Sequence, residues 1–197
     1  GSNYYYSTAY SFANTLFMYN NSIYANTTKR VNTDGSNNSY SEFCMCLYGD
    51  GGDLPTFYTN QASFFTVVYN GKVYSFSTNI NNTAYVYGGS SWSKITMAPS
   101  HVEYAIVYNN NIYIIPKTYT TVSPFIYCQF YKYDGSTFTQ LSDIPQKLNS
   151  SYSADTMMCI SNNDLYVFID NSSDASISST NNYTYKQIYI MAINAGV

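Results

Sequence analysis

The chain has 197 residues, enough for one domain with a sizeable core, and its apolar fraction of 45% is ordinary, but only 10% of its residues are charged against roughly 25% in typical globular domains. A net charge of −3 with eight scattered lysines and arginines leaves no basic stripe, which disfavours nucleic acid as a partner; no apolar run approaches the roughly 18 residues of a membrane span, so membrane insertion is not expected. Solubility rests on Asn, Ser, Thr and the hydroxyls of 25 tyrosines, and an aromatic content of 19% argues against disorder.

Gly1-Ser2 reads as a cloning scar, and residues 3–13 form an aromatic stretch with no strand before it. The first repeat then predicts strands over 15–19 and 23–25, a polar loop over 26–41, a strand over 42–48, the turn Gly49-Asp50-Gly51-Gly52 and a short strand near 56–58. The second, the shortest, predicts strands over 64–69, 73–76, 84–87 and 92–95. The third predicts 104–108, 112–115, 126–133 and 137–141, and the last predicts 156–160, 165–169 and 187–192.

One device recurs in all four: Tyr19-Asn20-Asn21-Ser22-Ile23-Tyr24, Tyr69-Asn70-Gly71-Lys72-Val73-Tyr74, Tyr108-Asn109-Asn110-Asn111-Ile112-Tyr113 and Ser161-Asn162-Asn163-Asp164-Leu165-Tyr166. Two-residue hairpins need positive φ at both central residues, which Asn and Gly tolerate best. Spacings of 50, 39 and 53 residues between the first Asn of successive copies suit propeller blades rather than helical repeats. A second half recurs too: Tyr87, Gly89, Ser90, Trp92, Ile95 and Pro99 return 46 residues later as Tyr133, Gly135, Ser136, Phe138, Leu141 and Pro145.

Four strands per unit, a Tyr in the third and an aromatic residue in the fourth resemble the kelch repeat over the whole chain. Two departures stand out. Ser77-Thr78, Pro116-Lys117 and Asp170-Asn171 occupy the place of the paired kelch glycines, and only the second repeat has the Trp. The resemblance implies an all-β, four-bladed kelch-like β-propeller in a single domain over 3–197, with blades over about 9–58, 61–97, 102–143 and 153–197 plus 3–7. Tyr4 to Tyr6 fall where the last blade lacks a strand, so this N-terminal strand is expected to pair with 187–192 and close the ring, hiding both sheet edges. A segment of a larger ring is the alternative.

Propellers host many functions, so function is argued from sites. In kelch-type blades the loops joining second to third and fourth to first strands share one face; here the former are 26–41, 77–83, 117–123 and 170–186, together rich in Asn, Ser, Thr and Tyr. A Tyr ring covers the C–H side of a sugar while amides and hydroxyls bond its OH groups. The ligand-binding candidates are therefore Tyr40, Tyr119 and Tyr183 in these loops, with Tyr152 and His101 at the entrances to first strands. His101 and Glu103, two apart at a loop–strand junction, read as rim residues rather than an acid–base pair.

No catalytic set emerges. The carboxylates lie mostly in turns rather than converging in the pair a glycosidase needs, no arginine cluster exists, and one His cannot complete a copper or zinc site. Cys44, Cys46, Cys128 and Cys159 lie in predicted strands and read as small core residues. The expectation is no enzyme, no metal and no cofactor. It is an extracellular recognition or adhesion module on a phage tail or bacterial surface, binding a cell-surface glycan or protein receptor as part of a larger multidomain or oligomeric assembly. The alternative is a kelch-type protein–protein scaffold, with a glycoside-active enzyme completed by another domain behind it.

Overall fold

The computed structural model describes residues 9–33, 36–59, 64–96, 98–116, 119–122, 125–141, 144–146, 156–170 and 188–194, and every regular element among them is a β-strand. The fold is all-β, built from antiparallel hairpins and meanders. It divides into two compact units, 1–102 and 103–197.

The four Asn turns form as expected. Their central residues have φ of 46° and 58° at Asn20 and Asn21, 47° and 68° at Asn70 and Gly71, 47° and 55° at Asn109 and Asn110, and 49° and 63° at Asn162 and Asn163. All eight lie in the left-handed region, which most side chains avoid at a cost of about 1–2 kcal/mol. The flanking residues pair directly, Tyr19 with Ser22, Tyr69 with Lys72 and Ser161 with Asp164.

The first unit holds two four-stranded meanders. One comprises β1 (Ala9–Tyr19), β2 (Ser22–Thr33), β3 (Ser36–Tyr48) and β4 (Phe57–Thr59); the other comprises β5 (Phe64–Tyr69), β6 (Lys72–Ser77), β7 (Ala84–Tyr87) and β8 (Trp92–Ile95). Their facing sides bury Phe17, Tyr19, Tyr24, Cys44, Leu54, Val73 and Tyr87 in one cluster. Phe17 stacks on Tyr24 with ring centroids 5.5 Å apart, and Tyr19 meets Tyr87 edge-on at 6.1 Å. A polar seam crosses the same interface: the buried Asn26 side chain donates to the Phe64 carbonyl at 3.1 Å and to Thr66 Oγ1 at 2.9 Å, and Thr66 Oγ1 bonds Ser75 Oγ at 2.9 Å. Asn26 Oδ1 is buried without a partner among the described residues.

The loop expected over 26–41 is mostly strand. β2 continues to Thr33 and β3 begins at Ser36, paired from Thr33↔Ser36 to Ile23↔Tyr48 with two irregularities. The β-branched Thr27, Thr28, Val31 and Thr33 suit this extension, and Asn26, which read as a loop opener, is committed to the seam with the second sheet.

In the second unit β9 (Val102–Tyr108), β10 (Asn111–Pro116), β13 (Tyr131–Tyr133) and β14 (Phe138–Gln140) form one sheet, with β11 (Tyr119–Val122), β12 (Phe125–Cys128) and β15 (Ile144–Gln146) in another. Tyr131 pairs with Ile114 in the first sheet and Cys128 with Tyr119 in the second, and Leu141 N–H donates to the Phe130 carbonyl at 2.8 Å between β12 and β13. The single strand expected over 126–133 is thus two. At the break Phe130 turns inward and is buried, its ring 5.6 Å from that of Tyr113. The expected loop over 117–123 likewise contains β11.

The last sheet orders β16 (Thr156–Ser161), β17 (Asp164–Asp170) and β18 (Ile188–Asn194). Met158, Leu165 and Val167 pack with Tyr108, Tyr113, Ile115 and Phe130 in the core of this unit. Tyr108 Oη donates to the Asn163 carbonyl at 2.7 Å, tying one hairpin to the next turn. The closing strand expected at 4–6 lies outside the described residues.

Candidate functional site

In an antiparallel meander successive connections alternate ends, so the second-to-third strand connections lie opposite the Asn turns. At that end the structure extends two of them into arms: β2–β3 runs to Thr33↔Ser36, with β1 alongside as far as Arg30 and β4 as far as Tyr40, and β11–β12 runs to Val122↔Phe125, with β15 along its other side. The connection after β6 stays a short loop, closed by Ser77 N–H donating to the Thr83 carbonyl at 2.9 Å and by Ser77 Oγ accepting from Ile80 N–H at 2.8 Å.

The expected binding residues distribute unevenly over this frame. Tyr40 sits within β3, opposite Arg30 on one side and Thr59 on the other, so it belongs to a paired strand rather than to a loop. Tyr119 opens β11 opposite Cys128. His101 precedes β9, half-buried, with a φ of 50° that few non-glycine residues adopt. Val102, fully buried, separates it from Glu103 on the strand. Tyr152 and Tyr183 lie outside the described residues. Tyr40 and Tyr119 share the arm end of their respective meanders, and His101 stands at a strand entrance.

The third-to-fourth strand turns show what the repeat holds constant. Tyr87 pairs with Trp92 and Tyr133 with Phe138, the rings 5.4 Å and 4.2 Å apart. Gly89 and Gly135 have φ of 107° and 100°. In the third repeat Asp134 Oδ1 accepts from Thr137 N–H, Ser136 N–H and Ser136 Oγ, each at 2.8 Å. These donors favour the ionised form and hold the carboxyl at about 2.

The first repeat departs from this, although Gly49-Asp50-Gly51-Gly52 has the composition of an ordinary Gly-rich turn. Its third-to-fourth connection is longer and shapes an open groove of about 660 Å³ beside the Asn20-Asn21 turn, with Tyr48 and Asp50 on its wall. The available signal was length: residues 49–56 stand where the next two repeats have 88–91 and 134–137. Three free cysteines, Cys44, Cys46 and Cys159, are described; Cys44 is fully buried in the core as expected. Among the described residues no group of three or more His, Cys, Asp or Glu could hold a metal. The chain matches no protein-family model and no curated protein.

Proposed function

We propose that this chain is an extracellular or virion-surface recognition module that binds a cell-surface glycan through the arm end of its sheets. We also propose that its meanders are blades of a four-bladed kelch-like propeller, with the strand at 4–6 closing the ring. The observation that carries the functional reading is the drawing-out of the β2–β3 and β11–β12 connections into long arms while the first-to-second strand turn keeps two residues in every repeat. Variation at one end of a regular scaffold is where binding surfaces develop. The arms are rich in Asn, Ser and Thr with Tyr40, Tyr119 and Tyr127 among them, and the charges of the first, Lys29, Arg30 and Asp34, are of mixed sign, which suits a neutral or weakly charged glycan. Recognition of this kind is weak per site, about 10 μM to 1 mM or roughly −4 to −7 kcal/mol, so attachment relies on several copies acting together.

A glycan array probed with the whole protein tests the reading. Binding is expected, and Tyr119→Ala and Tyr183→Ala should weaken it while Asn110→Ser, at the turn end, should not. Retained binding in both Tyr variants, or hydrolysis of the bound glycan, overturns the assignment.

A further inference from the structure

The connection from Tyr48 to Phe57 folds back over the neighbouring hairpin and is fixed there by its glycines. Gly51 N–H donates to Ser22 Oγ at 3.1 Å, and Tyr24 Oη donates to the carbonyls of Gly51 at 3.2 Å and Gly52 at 3.4 Å. Further along, Cys46 N–H donates to Asp53 Oδ1 at 2.8 Å and Leu54 N–H to the Cys44 carbonyl at 2.9 Å. Ser22 and Tyr24 are both buried. Gly49 has a φ of 106°, and a Cβ on it would lie 2.9 Å from Ser22 Cα; one on Gly51 would meet the Tyr24 hydroxyl and lie 2.7 Å from Ser22 Oγ. The loop can approach the turn this closely only with glycine at these places, and the groove between them is preformed.

What the groove offers is specific. Tyr48 is 74% exposed although it belongs to a core-forming strand, which makes its ring a platform available to a ligand. Asn20 and Asn21 are exposed beside it and supply amide donors and acceptors. Asp50 adds one carboxylate, and no Lys, Arg or His lines the groove. An anionic sugar or a phosphate would meet an unopposed negative charge. The lining also offers a metal only one carboxylate. An aromatic face with amide and carboxylate partners matches a neutral sugar, whose C–H side stacks on a ring while adjacent hydroxyls donate and accept at its edge.

We infer that this groove is a second saccharide site, for a neutral hexopyranose, with Tyr48 as its platform and Asp50, Asn20 and Asn21 as its polar contacts. It stands on the first repeat alone and does not need the arm-end site. The test is an NMR titration of the ¹⁵N-labelled whole chain with methyl glycosides of glucose, galactose, mannose and N-acetylglucosamine, and with a uronic acid glycoside as the anionic comparison. Saturable shifts are expected at the amides of Asn21, Gly49 and Gly51, with a Kd near about 1 mM. Tyr48→Ala should weaken binding at least about tenfold, equal to roughly 1.4 kcal/mol. Tyr48→Phe should retain it, and Tyr119→Ala should leave it unchanged. Circular dichroism of Tyr48→Ala checks that the exposed substitution leaves the fold intact. No saturable shift with any glycoside, equal binding of the anionic sugar, or binding unchanged in Tyr48→Ala overturns the inference. Loss of array binding in Tyr119→Ala with no glycoside response at Tyr48 would overturn this site and leave the arm-end reading standing.

Discussion

The two sheets of the first unit come from the same repeat yet treat the same face in opposite ways. With Asn20 aligned on Asn70, Leu16 corresponds to Thr66 and Ile23 to Val73. In β5 and β6 Thr66 is 1% and Val73 0% exposed, whereas in β1 and β2 Leu16 is 70% and Ile23 37% exposed. The later repeats side with the second: Ala105, Ile112, Met158 and Leu165 are all buried. What covers Thr66 and Val73 is the preceding sheet, through Asn26 and the Phe17–Tyr24 cluster. Polar residues thus lie under cover while Leu, Met and Ile stand in the open. Burial in this chain follows from which neighbour a sheet has, and the uncovered face has the composition of one that is to be packed against.

The largest effect should come from placing a charge on each version of that face. Thr66→Lys buries an unpaired ammonium in the seam and should lower stability by about 3–5 kcal/mol in a denaturant titration. If the repeats form the closed propeller proposed above, the first sheet is covered by the last blade, and Leu16→Lys should cost a comparable amount. Deleting residues 3–8 should also lower the Tm by about 5–10 °C, the effect of roughly 2–3 kcal/mol in a chain of this size. Leu16→Lys with stability within about 0.5 kcal/mol of the parent, the usual range for a free surface position, would break the ring-closure reading.

Smaller effects separate the glycines of the first sheet from those of the second. Gly49 combines a φ of 106° with Ser22 Cα only 2.9 Å from where a Cβ would stand, closer than side chains pack, whereas Gly71, at φ 68°, has nothing within 4 Å of its notional Cβ. Gly49→Ala should therefore cost about 1–3 kcal/mol and undo the groove. Gly71→Val should cost a similar amount through its branched side chain in a left-handed conformation. Gly71→Asn should stay within about 0.5 kcal/mol, since Asn21, Asn110 and Asn163 occupy the same place at φ of 58°, 55° and 63°. A costly Gly71→Asn would show that the four turns are not interchangeable.

What the sequence made legible was local. Asn-Asn and Asn-Gly announce positive φ from residue type alone, and Tyr87–Trp92 and Tyr133–Phe138 announce a rung through their fixed offset. The first-sheet arm was missed because Asn26 and its polar neighbours read as a loop, while the bond that holds Asn26 in a strand comes from Phe64 and Thr66, far along the chain. The break at Phe130 was hidden for the same reason, since the residues that bury Phe130, among them Tyr113, Met158 and Leu165, lie far along the chain. Of the candidate residues, Tyr40 and Tyr119, expected in loops, lie in the paired strands β3 and β11 instead. The groove escaped because its determinants are a close backbone approach and the exposure of Tyr48, and neither is a property of residue type.

The smallest predicted effect distinguishes the third-to-fourth turns of the second and third repeats, which share a backbone but not a charge. Asp134 stands where the second repeat has Gly88, and its Oδ1 accepts three hydrogen bonds that hold its carboxyl at about 2, below the ordinary value of 3.8. A carboxyl whose folded value is depressed stabilises the folded form fully above its unfolded value, and loses that contribution as pH falls through the folded one. The window is therefore pH 4 down to about 2, with no change expected between pH 5 and 8. The group is fully solvent-exposed, so the effect on global stability is small and the sensitive readout is local. The carboxyl ¹³C shift of Asp134 should titrate with a midpoint near 2, and the amide signals of Ser136 and Thr137 should move with it, while Ser90 and Ser91 in the second repeat stay still. An Asp134→Asn variant should remove the acid transition and keep the turn, because the amide oxygen still accepts from the same N–H groups. A midpoint at the ordinary 3.8 would mean that the three donors do not hold the carboxylate in solution, and that this turn depends on Gly135 alone, as its counterpart depends on Gly89.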